Sequence, residues 1–420
     1  MAKRVVILTT GSQGDVQPFL ALSMGLQEAG YHVRIVANAE FETFVRGRGV
    51  DFADIGPNPN DAFPKLVSPQ AKEFRKIYKD VYLGWMRDWM IRGVEASKDA
   101  DVLVVAPVAS VGSDVAEKLS KPFVDALYMP ATPTRAFPNP NLPFNQSLGP
   151  LYNWLSHVAI DSVSWRAQRS LFNRLRRSVL DLPDLPRTTP ERRKRAQQIP
   201  LLYGFSPSVV PKPHDWPEWA HVTGYWYLDT KQDWRPPADL VDFLDAGPRP
   251  IYLELGSLTV LVQGTIVKAL RGLMETGCRV VVDPRGTDLR GLTLSDNIYV
   301  ITKSVPHSWI LPRVGAAITH GGPSTVAAVL RAGIPIQILP IFRGHSFWGH
   351  RTAELGVGLP PIRARRAEPD QIARSASILL NDRRMREKAS TLGQTIRSED
   401  GVARAVEVFM HYFPPSPTGA

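Results

Sequence analysis

Residues Ile318–Arg351 read ITHGGPSTVAAVLRAGIPIQILPIFRGHSFWGHR. Gly315 to Thr319 is an apolar run with strand character. It ends abruptly in His320-Gly321-Gly322-Pro323-Ser324-Thr325, and an Ala/Val/Leu-rich helix is expected beyond. A glycine-rich turn that opens a helix presents unbonded backbone N–H groups and the positive end of the helix dipole. That combination is an anion site. Ser324 and Thr325 add hydroxyl donors, and Ser324 also suits the N-cap. His320 stands where the strand ends, so its imidazole can reach a phosphate. A second strand, Pro335–Pro340, follows at the spacing of a βαβ unit, and a loop, Phe342–His350, lies beyond it. A Gly-Gly turn alone is shared by many α/β proteins.

The full order His, Gly-Gly, Ser-Thr, Gly-Ile-Pro and then Phe-Trp-Gly is more specific. It resembles the donor-sugar signature of nucleotide-sugar glycosyltransferases with the GT-B fold. The similarity is greatest to the bacterial and fungal branch of sterol glucosyltransferases and antibiotic and rhamnolipid glycosyltransferases. The resemblance implies two Rossmann-like parallel-sheet α/β domains facing a cleft. It also implies that His320, Gly321, Gly322, Ser324 and Thr325 hold the donor diphosphate.

The N-terminus carries a second match. Arg4–Thr9 is a β-branched run, interrupted by Gly11-Ser12-Gln13-Gly14-Asp15-Val16-Gln17-Pro18. A helix is expected over Phe19–Ala29, where Phe19, Leu22, Leu26 and Ala29 recur at helical spacing, and a strand over His32–Ala37. From the residues alone, Asp15 is either a helix cap bonded to its own backbone or a base. The loop looks like the family's acceptor-side loop, with Ser12 and Gly14 beside the donor. Plant relatives place a His at the position of Asp15, and this branch places an Asp. Inverting transfer is a displacement at the anomeric carbon, so the attacking hydroxyl must lose its proton. The resemblance assigns that proton to Asp15.

Two further matches lie in the second half. A strand over Arg249–Leu255 ends in Gly256-Ser257, similar to the family's diphosphate-facing Gly-Ser loop. Glu254 stands two residues earlier, on the same side of the strand as Gly256; it either pairs with an Arg or lines the cleft. Ser304-Val305-Pro306-His307 resembles the turn that holds the nucleobase, though Ser304 replaces the stacking Trp of plant relatives. Trp309 is expected in the core. The chief departure is in the sugar loop. Gly344 and His345 occupy the places where users of UDP-glucose carry an acidic residue and Gln. A carboxylate contact to the sugar is therefore absent, which favours a deoxysugar, an amino sugar or a sugar gripped elsewhere. His345 remains a candidate sugar contact.

Composition agrees with this class. A chain of 420 residues, 44% apolar, suits two domains of roughly 200 residues each. The expected division is an acceptor domain over 1–212, a Pro-rich linker over 213–240, a nucleotide-sugar domain over 241–400 and a crossover helix and tail over 401–420. The text around His221–Trp226 resembles the sterol glucosyltransferase branch. No run of 18 apolar residues exists, and Val5–Leu8 is too short for a signal peptide, so a cytoplasmic protein is expected. The lone Cys278 excludes an internal disulfide and reads as a small buried side chain. No metal-ligand spacing occurs, and no metal or cofactor is expected.

The net charge is +10, and between Arg166 and Arg195 ten Lys or Arg stand against three acidic residues. That stretch is either a solvated helix face or a peripheral membrane contact on anionic lipid. No nucleic-acid motif accompanies it. Phe63, Phe74, Tyr78, Tyr82, Trp85, Trp89, Tyr152 and Trp154 either wall an acceptor pocket or, as expected for most, pack the core. Together these features imply an inverting hexosyltransferase acting from a UDP- or dTDP-sugar on a hydroxyl of a lipophilic acceptor (sterol, polyketide aglycone or glycolipid). The alternatives are a sugar-nucleotide epimerase of the same fold and a non-catalytic partner protein.

Overall fold

The computed structural model describes residues 2–58, 71–107, 111–142, 147–229, 234–285, 287–289 and 291–415, with side chains described for all of these except 71–80, 258–260 and 263. Phe63 lies outside the described residues, as do the side chains of Phe74 and Tyr78. The chain divides into two compact units, Met1–Leu228 with Asp400–Ala420, and Asp229–Glu399.

The first unit is a seven-stranded parallel sheet of β1 (Arg4–Leu8), β2 (His32–Ala37), β3 (Asp51–Asp54), β4 (Val102–Val105), β5 (Phe123–Leu127), β6 (Leu201–Tyr203) and β7 (Ala220–Val222), in spatial order β3-β2-β1-β4-β5-β6-β7. Runs such as VVIL and VLVV suit strands buried on both faces. Side chains alternate accordingly. Val5, Ile7, Val33, Ile35 and Val104 enter one core, and Val6, Leu8, Val36 and Leu103 enter the other. The first core holds the helix Gln13–Glu28 and the helix Gly401–Tyr412, where Tyr31 meets Phe409 edge-on at 5.4 Å and donates its hydroxyl to the Phe413 carbonyl at 2.6 Å. Each fully buried aliphatic side chain contributes about 1.5–3 kcal/mol.

The second unit is a six-stranded parallel sheet of β8 (Ile251–Glu254), β9 (Val280–Asp283), β10 (Ile298–Val300), β11 (Ala316–Thr319), β12 (Ile336–Ile338) and β13 (Gly358–Leu359), ordered β10-β9-β8-β11-β12-β13. Both sheets are doubly wound. The chain fills one side from β1, then returns to place β4 on the other; β8 and β11 repeat the pattern. Such reversal points are where open α/β sheets bind ligands, beyond the carboxyl ends of the strands.

Several local expectations are corrected. The first helix starts at Gln13, six residues before Phe19, and tolerates Pro18 inside it. Ser12 and Asp15 form a capping box that fixes the earlier start. Phe342–His350 is mostly helix, Arg343–Glu354, rather than loop. Gly322, not Ser324, is the N-cap of the helix Pro323–Ala332, because Pro323 takes the first helical position. Trp309 is only half-buried, packed against Trp234 and covered by Arg313. Trp154 is exposed on the helix Pro150–Leu180 together with Leu151, Leu155 and Val158, whereas Trp89 is core. Cys278 is half-buried.

The basic stretch is partly consumed inside the fold. Arg176 is 1% exposed and pairs with Asp114 and Glu117; Lys194 pairs with Asp125 at 2.8 Å; Arg177 pairs with Asp184. Arg166, Arg174, Arg187 and Arg192 are exposed. Among the described residues no helix is long and apolar enough to cross a membrane.

Candidate active site

In the second unit the reversal point lies between β8 and β11, and the expected donor residues follow both strands. Gly256 and Ser257 leave β8, and His320, Gly321 and Gly322 leave β11. The His320 imidazole is wedged between two glycines. A Cβ on Gly256 would lie 2.6 Å from His320 Cε1, and one on Gly322 would lie 2.5 Å from Nε2. Gly256 also has φ +71°, which disfavours any other residue. These glycines let a full ring stand at the end of the strand, against the opening of the helix Pro323–Ala332. Ser324 and Thr325 occupy that helix's first turn, half-buried and buried respectively.

His345 stands in the first turn of the helix Arg343–Glu354, its ring 5.0 Å from that of His320 and at right angles to it. Gly344 precedes it, half-buried. The Nδ1 atoms of His320 and His345 are both buried without a hydrogen-bond partner among the described residues. An unsatisfied buried polar atom costs about 1–3 kcal/mol, so its presence marks a place kept for a ligand or a water. Burial pushes the pKa of His320 below its ordinary value, against the pull of Glu254, and burial beside His320 lowers that of His345 to about 3. Both rings are therefore neutral near pH 7. They offer single N–H groups, and the positive potential comes from the helix opening.

Glu254 does not line an open surface. It is 3% exposed, with Oε2 3.0 Å from His307 Nε2 and Oε1 3.4 Å from Arg285 Nη2. Burial alone would raise its pKa; His307, Arg285 and His320 outweigh that and hold it at about 2. Arg285 also binds Asp283 at 2.9 Å. The cluster ties the ends of β8 and β9 to the Ser304–His307 turn, in which Ser304 is exposed and Val305 is buried. Arg285 and Asp283 were not singled out from sequence, and His307 was quoted only as a member of the Ser304–His307 turn. The ionisable Glu254 at a strand end was the available signal.

In the first unit the reversal point lies between β1 and β4, and Asp15 stands just past β1. Its carboxylate is half-buried. Oδ2 accepts the Ser12 backbone N–H at 2.7 Å and the Ser12 hydroxyl at 2.8 Å; Oδ1 accepts the Tyr128 hydroxyl at 2.5 Å. Burial raises the pKa of Asp15, and the Tyr128 and Ser12 donors oppose the rise. The turn is braced from outside. Asn38 Oδ1 accepts from Thr10 Oγ1 (2.8 Å) and Gly11 N (3.1 Å), and Asn58 Nδ2 donates to Gly11 O (2.7 Å). Ser12 and Gly14 sit with Asp15 in this unit, and the remaining expected donor residues sit in the other. The capping and catalytic readings of Asp15 do not compete, since one oxygen closes the helix and the other faces Tyr128.

Comparison with known proteins agrees with this architecture. Residues 5–138 match the glycosyltransferase family 28 N-terminal domain, and residues 272–408 match the erythromycin biosynthesis protein CIII-like C-terminal domain. The chain is 35% identical over 419 residues to a sterol 3-beta-glucosyltransferase of Aspergillus terreus, covering 96% of this chain and 29% of that protein. It is 34% identical to the sterol 3-beta-glucosyltransferase of Pichia angusta, covering 96% and 33%. It thus spans about a third of the length of these relatives. Among solved structures, the glycosyltransferase SnogD from Streptomyces nogalater superposes with TM-score 0.61 at 21% identity, covering 98% of this chain and 99% of that one. The spinosyn rhamnosyltransferase SpnG complexed with thymidine diphosphate gives 0.65 at 20% identity, covering 97% and 99%. These likenesses establish the shared fold. The chain thus carries a match to a glycosyltransferase family 28 N-terminal domain in its first part and to an erythromycin CIII-like C-terminal domain in its second, on a fold shared with solved glycosyltransferases.

Proposed function

We propose that the chain transfers a hexose, with inversion, from a UDP- or dTDP-sugar to a hydroxyl group of a lipophilic acceptor. One observation carries the reading. Each sheet has a reversal point, and each presents there one half of the needed chemistry: a half-buried carboxylate past β1, and a His-Gly-Gly helix opening past β11. Asp15 takes the acceptor proton as the new bond to the anomeric carbon forms. The electron pair of the breaking bond goes to the nucleoside diphosphate. The N-terminus of the helix Pro323–Ala332, with Ser324, Thr325, Ser257 and His320, offsets that charge.

The sterol 3-beta-glucosyltransferase relatives support a sterol-like acceptor, and the thymidine diphosphate complex of SpnG supports a deoxynucleotide donor as readily as a uridine one. Gly344 and His345 favour a sugar read without a carboxylate at that position. Membrane contact of the 166–195 stretch belongs to the same reading, carried by its exposed arginines Arg166, Arg174, Arg187 and Arg192. The test is incubation with a panel of UDP- and dTDP-hexoses, measuring slow release of nucleoside diphosphate without acceptor and its acceleration by sterols or polyketide aglycones. Release from none of them, with no binding of UDP or dTDP, would overturn the reading.

A further inference from the structure

The Asp15 carboxylate is more completely engaged than a base needs to be. A carboxylate has about four lone-pair sites. Both on Oδ2 are occupied, by the Ser12 N–H and the Ser12 hydroxyl, and one on Oδ1 is occupied by Tyr128. Among the described residues, one site remains, on Oδ1. Tyr128 itself follows β5, two strands away from β1 in the sheet, roughly 10 Å at ordinary strand spacing. Its ring packs on the core and its hydroxyl bridges that gap. Gly11 permits the arrangement: at φ +113°, a Cβ there would lie 2.6 Å from Asp15 Oδ2.

We propose that Tyr128 is the positioning residue of the base, holding Asp15 so that the remaining lone pair of Oδ1 is the atom that receives the acceptor proton. The inference rests on the reading of Asp15 as base. Tyr128 is suited to donate and never to accept the proton itself, because burial and the neighbouring Asp15 raise its own pKa well above 10. It is also the titratable group that faces Asp15 among the described residues; the other donors come from Ser12.

A hydrogen bond donated to the ionised form favours that form. Tyr128 therefore lowers the pH at which Asp15 gains a proton and stops working. The full chain carrying Tyr128→Phe keeps the packed ring and loses the donor. Its acid limb in kcat/KM should move up by about one pH unit, with kcat about tenfold lower and donor KM unchanged. Replacing Tyr128 with 3-fluorotyrosine makes the hydroxyl a stronger donor and should move the same limb down, which tests the idea without removing the contact. A limb that stays put in both variants would overturn the proposal, whatever happens to kcat, since lost packing does not move a titration. Asp15→Asn separates the two levels. If that variant turns over normally, the base assignment itself fails; if it is inactive while the Tyr128 limbs are unmoved, only the role of Tyr128 fails.

Discussion

Asp15→Asn discriminates well because the fold around it can accommodate an amide. The amide oxygen can keep both Ser12 contacts, now 2.7 and 2.8 Å, and so preserve the helix cap. The amide NH2 then faces Tyr128, whose hydroxyl can rotate and accept. The main change is that the Tyr128 hydroxyl loses its acceptor, so stability should change by only about 1 kcal/mol. Asp15→Ala lacks this property: it breaks the capping box, at about 0.5–2 kcal/mol, and confuses folding with chemistry. An amide cannot take up a proton at working pH. Turnover should therefore fall by on the order of 10² to 10⁴, while UDP or dTDP affinity is unchanged, because the expected diphosphate contacts at His320, Gly321, Gly322, Ser324 and Thr325 lie in the other unit and the Ser12 contacts are kept. Steady-state release of nucleoside diphosphate gives the first quantity, and calorimetric titration gives the second. Turnover within tenfold of the wild type, in a variant that melts normally, would refute the assignment. If Asp15 is the base, it works ionised, so activity should fall as pH drops through its pKa, which burial raises.

Gly256→Ala forces a residue with a side chain to φ +71° and sets its Cβ 2.6 Å from the His320 ring. UDP or dTDP affinity should drop about tenfold, equivalent to losing one hydrogen bond, and an unaltered calorimetric Kd would show that His320 does not touch the diphosphate. Gly344→Asp with His345→Gln should shift relative kcat/KM toward UDP-glucose by about five- to thirty-fold, for one or two hydrogen bonds of roughly 1 kcal/mol each. A wild type that already favours UDP-glucose several hundred-fold in competition would contradict this. Arg176→Ala strands the buried carboxylate of Asp114 and should destabilise the first unit by about 3–5 kcal/mol in denaturant melts; a loss under 1 kcal/mol would mean that Asp114 is solvated or protonated without it.

What the sequence made legible follows the range of the interactions involved. β2 coincides with the expected His32–Ala37, and β11 falls within one residue of Gly315–Thr319, because periodicity and β-branching are local. The His-Gly-Gly turn was visible for the same reason. The start of the first helix was missed because the Gly11–Pro18 run read as a loop, whereas the Ser12–Asp15 capping box opens the helix at Gln13. Helix Arg343–Glu354 was missed because Gly344 and the aromatic pair Phe347-Trp348 disguise its buried stripe. Tyr128 was invisible for a different reason. It lies 113 residues from Asp15, and only the strand order brings the two together. The His307–Glu254 contact, 53 residues apart, is of the same kind. Long-range polar pairs of this sort carry no periodic trace.

The helix Gly401–Tyr412 is filed with the first sheet although the whole of Asp229–Glu399 precedes it in the chain. On the ribosome, the apolar ground it covers, around Tyr31 and Gly25, is made early and stays bare. At 5–20 residues per second, the intervening 171 residues take roughly ten to thirty seconds to emerge. For that interval the nascent first unit has a seven-stranded sheet without one of its covering helices, a sticky intermediate of the kind chaperones attend. A stalled or truncated chain would keep that surface open permanently, so damage far from the first unit, anywhere before Gly401, reaches it through the order of synthesis.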